Sequence, residues 1–292
     1  MGTRALRDVV AWLTVGLFMF PLFWWALASF KPYKAIFNQV PIFFDFEPTL
    51  LNYKVTLLGQ SRLENVIEGG GVGGTAGGAG SYYSLPSIFD SMVVACGSTV
   101  LATFLATLAA YGLSRFVFKG RPSYLFWVLA QRMMPPIAVA IPLFFIFRDI
   151  GLRDTVWGLI LAHTLINLPI AVLLMKSFLD DVPRELDEAA LIDGATRGQL
   201  FFRVVLPLVR GGLAATAVLC FIFSWTEFLL SLQLTTSIRT IPVKISTFVT
   251  STGTEWGFIT ALGTAALVPG FIFILLVQRH LVRGLTLGSL KD

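Results

Sequence analysis

The 292-residue chain predicts an all-α, polytopic membrane protein of six transmembrane helices, and three observations carry that prediction. Its composition is 55% hydrophobic and only 13% charged, with 26 Phe and a mean hydropathy of +0.77, far from that of soluble chains. Six stretches have the roughly 20 apolar residues needed to cross about 30 Å of hydrocarbon. The polar segments between them carry Lys and Arg unevenly on two sides.

The first span, 9–29, has the outline of a signal peptide, with Arg4 and Arg7 ahead and Ala26-Leu27-Ala28 behind. Its apolar run is longer than a usual signal core, however, and Trp24 and Trp25 crowd the would-be cleavage site, so it is read as a retained span. An outer segment, 30–87, follows, with Pro32, Pro41 and Pro48 and a glycine-rich run at 69–80. No strand precedes that run and no Gly-Lys-Ser/Thr closes it, so it is an insertion of flexible coil in an outer loop and not a phosphate cradle.

The second span is 88–114 and the third 124–147. Within the third, Gln131 and Arg132 interrupt the apolar run, and Pro135, Pro136 and Pro142 predict a break or kink. A charge at a helix centre costs roughly 2.5–3.5 kcal/mol, so Arg132 is expected to face a polar pathway or to pair across a subunit interface. Carbonyls freed by the prolines are tolerable only against protein or water.

The fourth span, 156–175, places His163 and Asn167 four residues apart, a spacing at which both can bond a neighbouring helix. The fifth, 212–234, contains Glu227, a second ion at membrane depth, beside Trp225, which either stacks on a bound ring or packs as an ordinary core aromatic. The sixth is 258–277. Cys96 and Cys220 both lie in apolar runs, which suits small buried hydrophobes. With only His163 and His280 beside them they make no metal set.

Orientation follows from the basic residues. With the N-terminus inside, inner segments hold 13 Lys and Arg and outer segments 8, with Arg132 in the membrane, while the acids divide evenly. The positive-inside rule then puts both termini and the segment 176–211 in the cytosol. The basic pI near 9.4 is therefore a topological signal and not a nucleic-acid-binding one.

The segment 176–211 contains the most polar helical pattern of the chain, 183–207. Pro183 suits a first helical position, and Glu185, Asp187 and Glu188 favour the positive end of a helix dipole. Leu186, Ala189 and Ala190 make a narrow face of mostly small side chains, Gly194 offers a left-handed stop, and a second short helix from Thr196 carries Leu200, Phe201, Val204 and Val205 until Pro207 blocks its continuation. A small-faced helix outside the lipid is suited to a groove on another protein.

Glu188-Ala189-Ala190, then Gly194, then Leu206-Pro207 resembles the EAA loop of ABC-importer permeases. Arg132-Met133-Met134-Pro135-Pro136 with Ile141-Pro142, Ser224-Trp225-Thr226-Glu227-Phe228, and the tail from Arg283-Gly284 to Leu290-Lys291 are similar to the second permease subunit of carbohydrate importers of the maltose and glycerol-phosphate type. Thr226 departs from the family pattern, which more often shows Asn. The resemblance covers nearly the whole chain and implies a single permease domain over 1–292, folded like a type I ABC importer, with a cytosolic EAA coupling helix.

The same resemblance implies a transport subunit of the bacterial cytoplasmic membrane that moves a sugar or sugar derivative by alternating access. Its partners would be a second permease, two ABC ATPase subunits carrying ATP-Mg, and an extracytoplasmic solute-binding protein, and it would bind no cofactor itself. Glu188, Ala189, Ala190, Gly194, Leu206 and Pro207 would couple to the ATPase, with Arg132, Trp225 and Glu227 at the pathway or interface. An ion-coupled carrier would instead call for related halves and several intramembrane acids, and an enzyme for a nucleophile with its base or a metal pair; the sequence offers neither.

Overall fold

A computed structural model describes residues 3–38, 40–60, 82–250 and 253–288. The glycine-rich run 69–80 lies outside the described residues, as does the end of the tail, 289–292. The chain forms two compact units, Met1–Ile88 with Val243–Val268, and Phe89–Pro242 with Pro269–Asp292.

In the first unit, α1 (Thr3–Ser29) is apolar on all sides, and Trp12, Leu17 and Phe18 are more than 70% exposed, as suits a helix solvated by lipid. Its end is tied down by polar contacts. Ser29 shares a 2.7 Å hydrogen bond with Tyr53, and the Asn52 amide donates to the carbonyls of Ser29 and Lys31 at 2.9 and 3.1 Å. Lys31 is buried, donates to the Ile42 carbonyl and lies 4.1 Å from the Trp24 ring; burial lowers its ammonium pKa from the usual lysine value. Short helices α2 (Tyr33–Ile36) and α3 (Leu51–Leu58) follow, and a two-residue antiparallel pair, β1 (Val249–Thr250) with β2 (Gly253–Thr254), joins Val249 to Thr254.

The second unit holds most of the helical core. The helix α4 (Leu85–Arg115) presents Ala102, Ala106 and Ala110 at helical spacing, all fully buried in one core with Ala171, Met175 and Leu179 of α7 (Val156–Asp180), and at Gly97 a Cβ would run into the Ile160 side chain of α7. Small side chains on one face let the two backbones approach closely. The helix α11 (Arg210–Trp225) packs on α7 at Gly212, where any Cβ would run into the Phe178 ring.

Between α4 and α7 lie α5 (Arg121–Met133) and α6 (Pro136–Asp149), bent by 95°. The sequence predicts a break or kink from three prolines, and the structure assigns it to two of them. Met134 and Pro135 are extended, as residues preceding proline prefer to be, whereas Pro142 sits inside α6 without ending it. The fifth span differs more from expectation. Instead of one helix over 212–234, α11 stops at Trp225 and α12 (Leu229–Leu234) starts anew after a three-residue gap. Thr226 caps the first helix through its own N–H and side chain on Ile222, and the Glu227 carboxylate collects the first free N–H groups of the second.

Asp154, in the loop before α7, closes the end of α12. It adopts a left-handed conformation with φ of 59°, and its carboxylate accepts four hydrogen bonds of 2.8–3.1 Å from the backbone and hydroxyls of Thr236 and Ser237. Those donors hold its pKa well below the usual carboxylate range.

Among the described residues, four helices are long and apolar enough to span a membrane alone, and two bent pairs bring the number to as many as six. A polytopic helical membrane architecture is the result.

Candidate functional site

The polar segment after α7 forms α8 (Arg184–Ile192), with Pro183 as its N-cap, one position earlier than the sequence suggests. Its end is a Schellman stop. The N–H of Gly194 reaches the Leu191 carbonyl at 3.1 Å and that of Ala195 reaches the Ala190 carbonyl at 3.0 Å, while Gly194 turns left-handed at φ of 86°. A Cβ at Gly194 would meet nothing within 4 Å, so glycine is required there by backbone conformation alone.

The exposed face of α8 differs from the predicted one. Leu186, Glu188, Ala189 and Ile192 point outward, Ile192 being 86% exposed, whereas Ala190 packs inward on the core shared by α4 and α7. The inward face also carries Asp187, whose carboxylate lies 2.8 Å from the Arg115 guanidinium at the end of α4, both side chains being at most 13% exposed. Arg115 further donates to the Val182 carbonyl at 3.1 Å, Arg184 donates to the Ser114 carbonyl at 2.9 Å, and Ser114 donates to Asp180 at 2.7 Å.

Beyond Gly194 the chain does not form the regular second helix expected from Thr196. A capping box starts α9 (Arg197–Gln199), with the Thr196 N–H on the Gln199 side chain and the Gln199 N–H on the Thr196 hydroxyl. A π turn (Leu200–Val205) follows and leads into α10 (Leu206–Leu208). Leu200, Phe201 and Val205 of that turn are buried, α8 rests on it, and Leu206 packs on the same core. Pro207 is exposed in α10 and lacks the N–H that the Arg203 carbonyl would need. The chain then bends by 75° into α11, the corner falling at Val209, two residues past the predicted proline. Phe201, Phe202, Leu206 and Arg210 line a cavity of about 650 Å³, which Thr103 and Phe273 also line from other helices.

The three intramembrane candidates do not converge on one site. Arg132 is in the last turn of α5, where the helix dipole favours a cation, and it is exposed, with its guanidinium 5.2 Å from the Phe223 ring. The proline break thus removes it from the centre of a continuous helix. Trp225 is half-buried and stacks on Phe221 at 5.4 Å, the packing alternative for that residue.

Glu227 faces the interior. Its carboxylate accepts from the N–H groups of Leu230 and Ser231 at 2.8 and 3.0 Å, from the Ser231 hydroxyl at 3.1 Å, and lies 3.2 Å from His163 Nε2. On the other side of the ring, His163 Nδ1 is 2.7 Å from Ser224, which accepts from Ser98 of α4 at 2.9 Å. Asn167, one turn along α7, donates to the Cys220 carbonyl at 3.3 Å, so both polar residues of the fourth span bond α11 as their spacing predicts.

Two features escaped sequence reasoning. The Arg115–Asp187 pair joins residues of separate elements and leaves no local pattern. The capping box at Thr196 and Gln199 had a readable signature in its Thr-x-x-Gln spacing.

Comparison with known proteins places this architecture. Over 290 residues the chain is 32% identical to a sulfoquinovosyl glycerol transport system permease protein of Agrobacterium fabrum, covering 99% of this chain and 94% of the relative. Over 209 residues it is 39% identical to a trehalose transport system permease protein of Mycobacterium tuberculosis, covering 70% and 76%. Its fold matches a bacterial ABC transporter involved in the import of the acidic polysaccharide alginate, with a TM-score of 0.68 at 19% identity over 94% of this chain and 95% of that one. The model of the binding-protein-dependent transport system inner membrane component matches residues 102–287, a stretch that includes α8, the π turn, His163 and Glu227, and the chain therefore belongs to that family as a transport permease and not an enzyme.

Proposed function

We propose that this chain is one of two unlike permeases in an ATP-driven importer of a sugar or sugar derivative, acting over 1–292 as a single permease domain. Two ATPase subunits hold ATP-Mg, and an extracytoplasmic binding protein delivers the solute. The observation that carries this reading is the outward face of α8. It is a helix of nine residues, ended by a Schellman stop and fixed from behind, that presents Leu186, Glu188, Ala189 and Ile192 to a partner. Ala189 lets a partner backbone approach, Leu186 and Ile192 supply apolar area, and Glu188 offers a carboxylate to a basic residue in the ATPase groove. Gly194, Ala190, Leu206 and Pro207 support this face rather than touch the partner. The sugar class is supported by the relatives whose names carry trehalose and sulfoquinovosyl glycerol.

In this reading ATP closes the two ATPases, the α8 helices are drawn together, and the spans behind them open to the other side. Both termini and α8 are cytosolic. The test has two arms. The chain is co-expressed with the neighbouring permease, ATPase and binding protein, and ATP hydrolysis is measured in liposomes across a panel of sugars; stimulation by one of them is expected, and no stimulation by any sugar with the complete complex overturns the substrate class. For orientation, Lys34→Cys should react with an impermeant thiol reagent added outside intact cells and Gly198→Cys should not; the reverse pattern overturns it.

A further inference from the structure

Arg115 and Asp187 belong to parts of the chain that are far apart in sequence, yet they bring the cytosolic end of α4 and the first turn of α8 into one buried ionic contact of 2.8 Å. Two backbone bonds make the contact reciprocal. Arg115 reaches the Val182 carbonyl just ahead of α8, and Arg184 reaches the Ser114 carbonyl at the end of α4. Removing one member of such a pair leaves an uncompensated charge away from water, so the two elements are costly to separate. Higher up, α4 bonds Ser224 through Ser98, about 25 Å along the helix axis at 1.5 Å per residue. One rigid helix thus touches both α8 and the network around Glu227.

We propose that Arg115 is a positioning residue that gears α4 to α8, so that a displacement of α8 reaches a span to which α8 is not joined in sequence. This rests on the reading of α8 as the ATPase-docking helix. Without the clasp, α8 would move only its flanking neighbours α7 and the π turn, and α4 would lag.

The experiment uses the complete transporter in nanodiscs, with spin labels on Gly198→Cys, beyond α8, and Val117→Cys, just after α4 and 82% exposed. Inter-label distances are measured without nucleotide and with ATP-Mg trapped by vanadate. In the parent the distance is expected to stay the same and remain narrowly distributed, because the two elements travel together. In Arg115→Gln, with the ATPase subunits still co-purifying, it is expected to broaden and shift on ATP binding by about 5 Å, one helical turn. The charge-swapped double variant Arg115→Asp, Asp187→Arg is expected to restore the narrow distribution.

A parent that fails to retain ATPase subunits would sink the docking reading itself. Retention in parent and variant with identical narrow distributions overturns this proposal alone. Loss of the ATPase subunits in Arg115→Gln that the swap does not restore also overturns it, since the pair would then serve assembly only; loss that the swap restores supports it.

Discussion

Nε2 of His163 lies 3.2 Å from Oε2 of Glu227, so a fully buried ring of α7 meets the carboxylate that starts α12. Glu227→Ala strips the acceptor from two backbone N–H groups and leaves His163 without its acidic partner. Each buried donor left without an acceptor costs about 1–3 kcal/mol, and Glu227→Gln, which keeps an acceptor, should lose distinctly less. Thermal unfolding of the purified protein in detergent measures both; equal stability of Glu227→Ala and parent would refute the structural role of the network.

Gly194→Asp and Gly194→Ala both put a side chain on a left-handed residue in open space, at a cost on the order of 1 kcal/mol that is no larger for Asp than for Ala, so both should fold and reach the membrane. Only the aspartate adds charge beside the outward face of α8. ATPase co-purification should therefore fall strongly for Gly194→Asp and little for Gly194→Ala. Glu188→Ala should keep the ATPase but lower substrate-stimulated hydrolysis several-fold. Normal transport by Gly194→Asp and Glu188→Ala together would show that α8 is not the docking element.

Arg132 is exposed, and among the described residues no carboxylate pairs with it. If it serves a pathway or a subunit contact, Arg132→Leu should insert normally while uptake or yield of the two-permease complex drops several-fold. Uptake and yield equal to the parent would mean that the guanidinium merely seeks the headgroup region.

Asp154 gives a pH signature. Because its folded pKa is depressed, its stabilising contribution is complete above the ordinary carboxylate value near 3.8 and is lost as pH falls toward the folded value. Asp154→Asn tolerates the left-handed backbone but removes the charge, so it should be less stable than the parent at pH 7, with the gap narrowing in strong acid. A gap that does not change between pH 7 and pH 3 would assign the effect to packing.

Much of this arrangement was written locally. Apolar length marked the spans, and Gly194 after a run of carboxylates marked the stop of α8, because a left-handed residue needs glycine wherever no side chain compensates. The Pro135-Pro136 pair marked the break in the third span. What stayed hidden depends on distant partners. Glu227 reads as an ion inside a continuous apolar stretch until His163, 64 positions earlier, is brought beside it and the helix proves to restart there. Ala190 belongs by spacing to the same face as Leu186 and Ala189, but the burial of Asp187 on Arg115 decides which way the helix is rolled.

The π turn at Leu200–Val205 absorbs a residue. Its i to i+5 bonding takes in one residue more per turn than an α-helix does, so its six residues wind through about the same angle as five would in regular helix. Deleting a single residue from the turn would let it close into α-helix and leave Leu206 and Arg210 facing much as they do now. The same deletion in the regular helix beyond Val209 has no such slack and would turn every later residue by about 100° about the local axis. The segment therefore acts as a reservoir of one residue, in which a change of chain length is tolerated without altering what the next span presents to its neighbours.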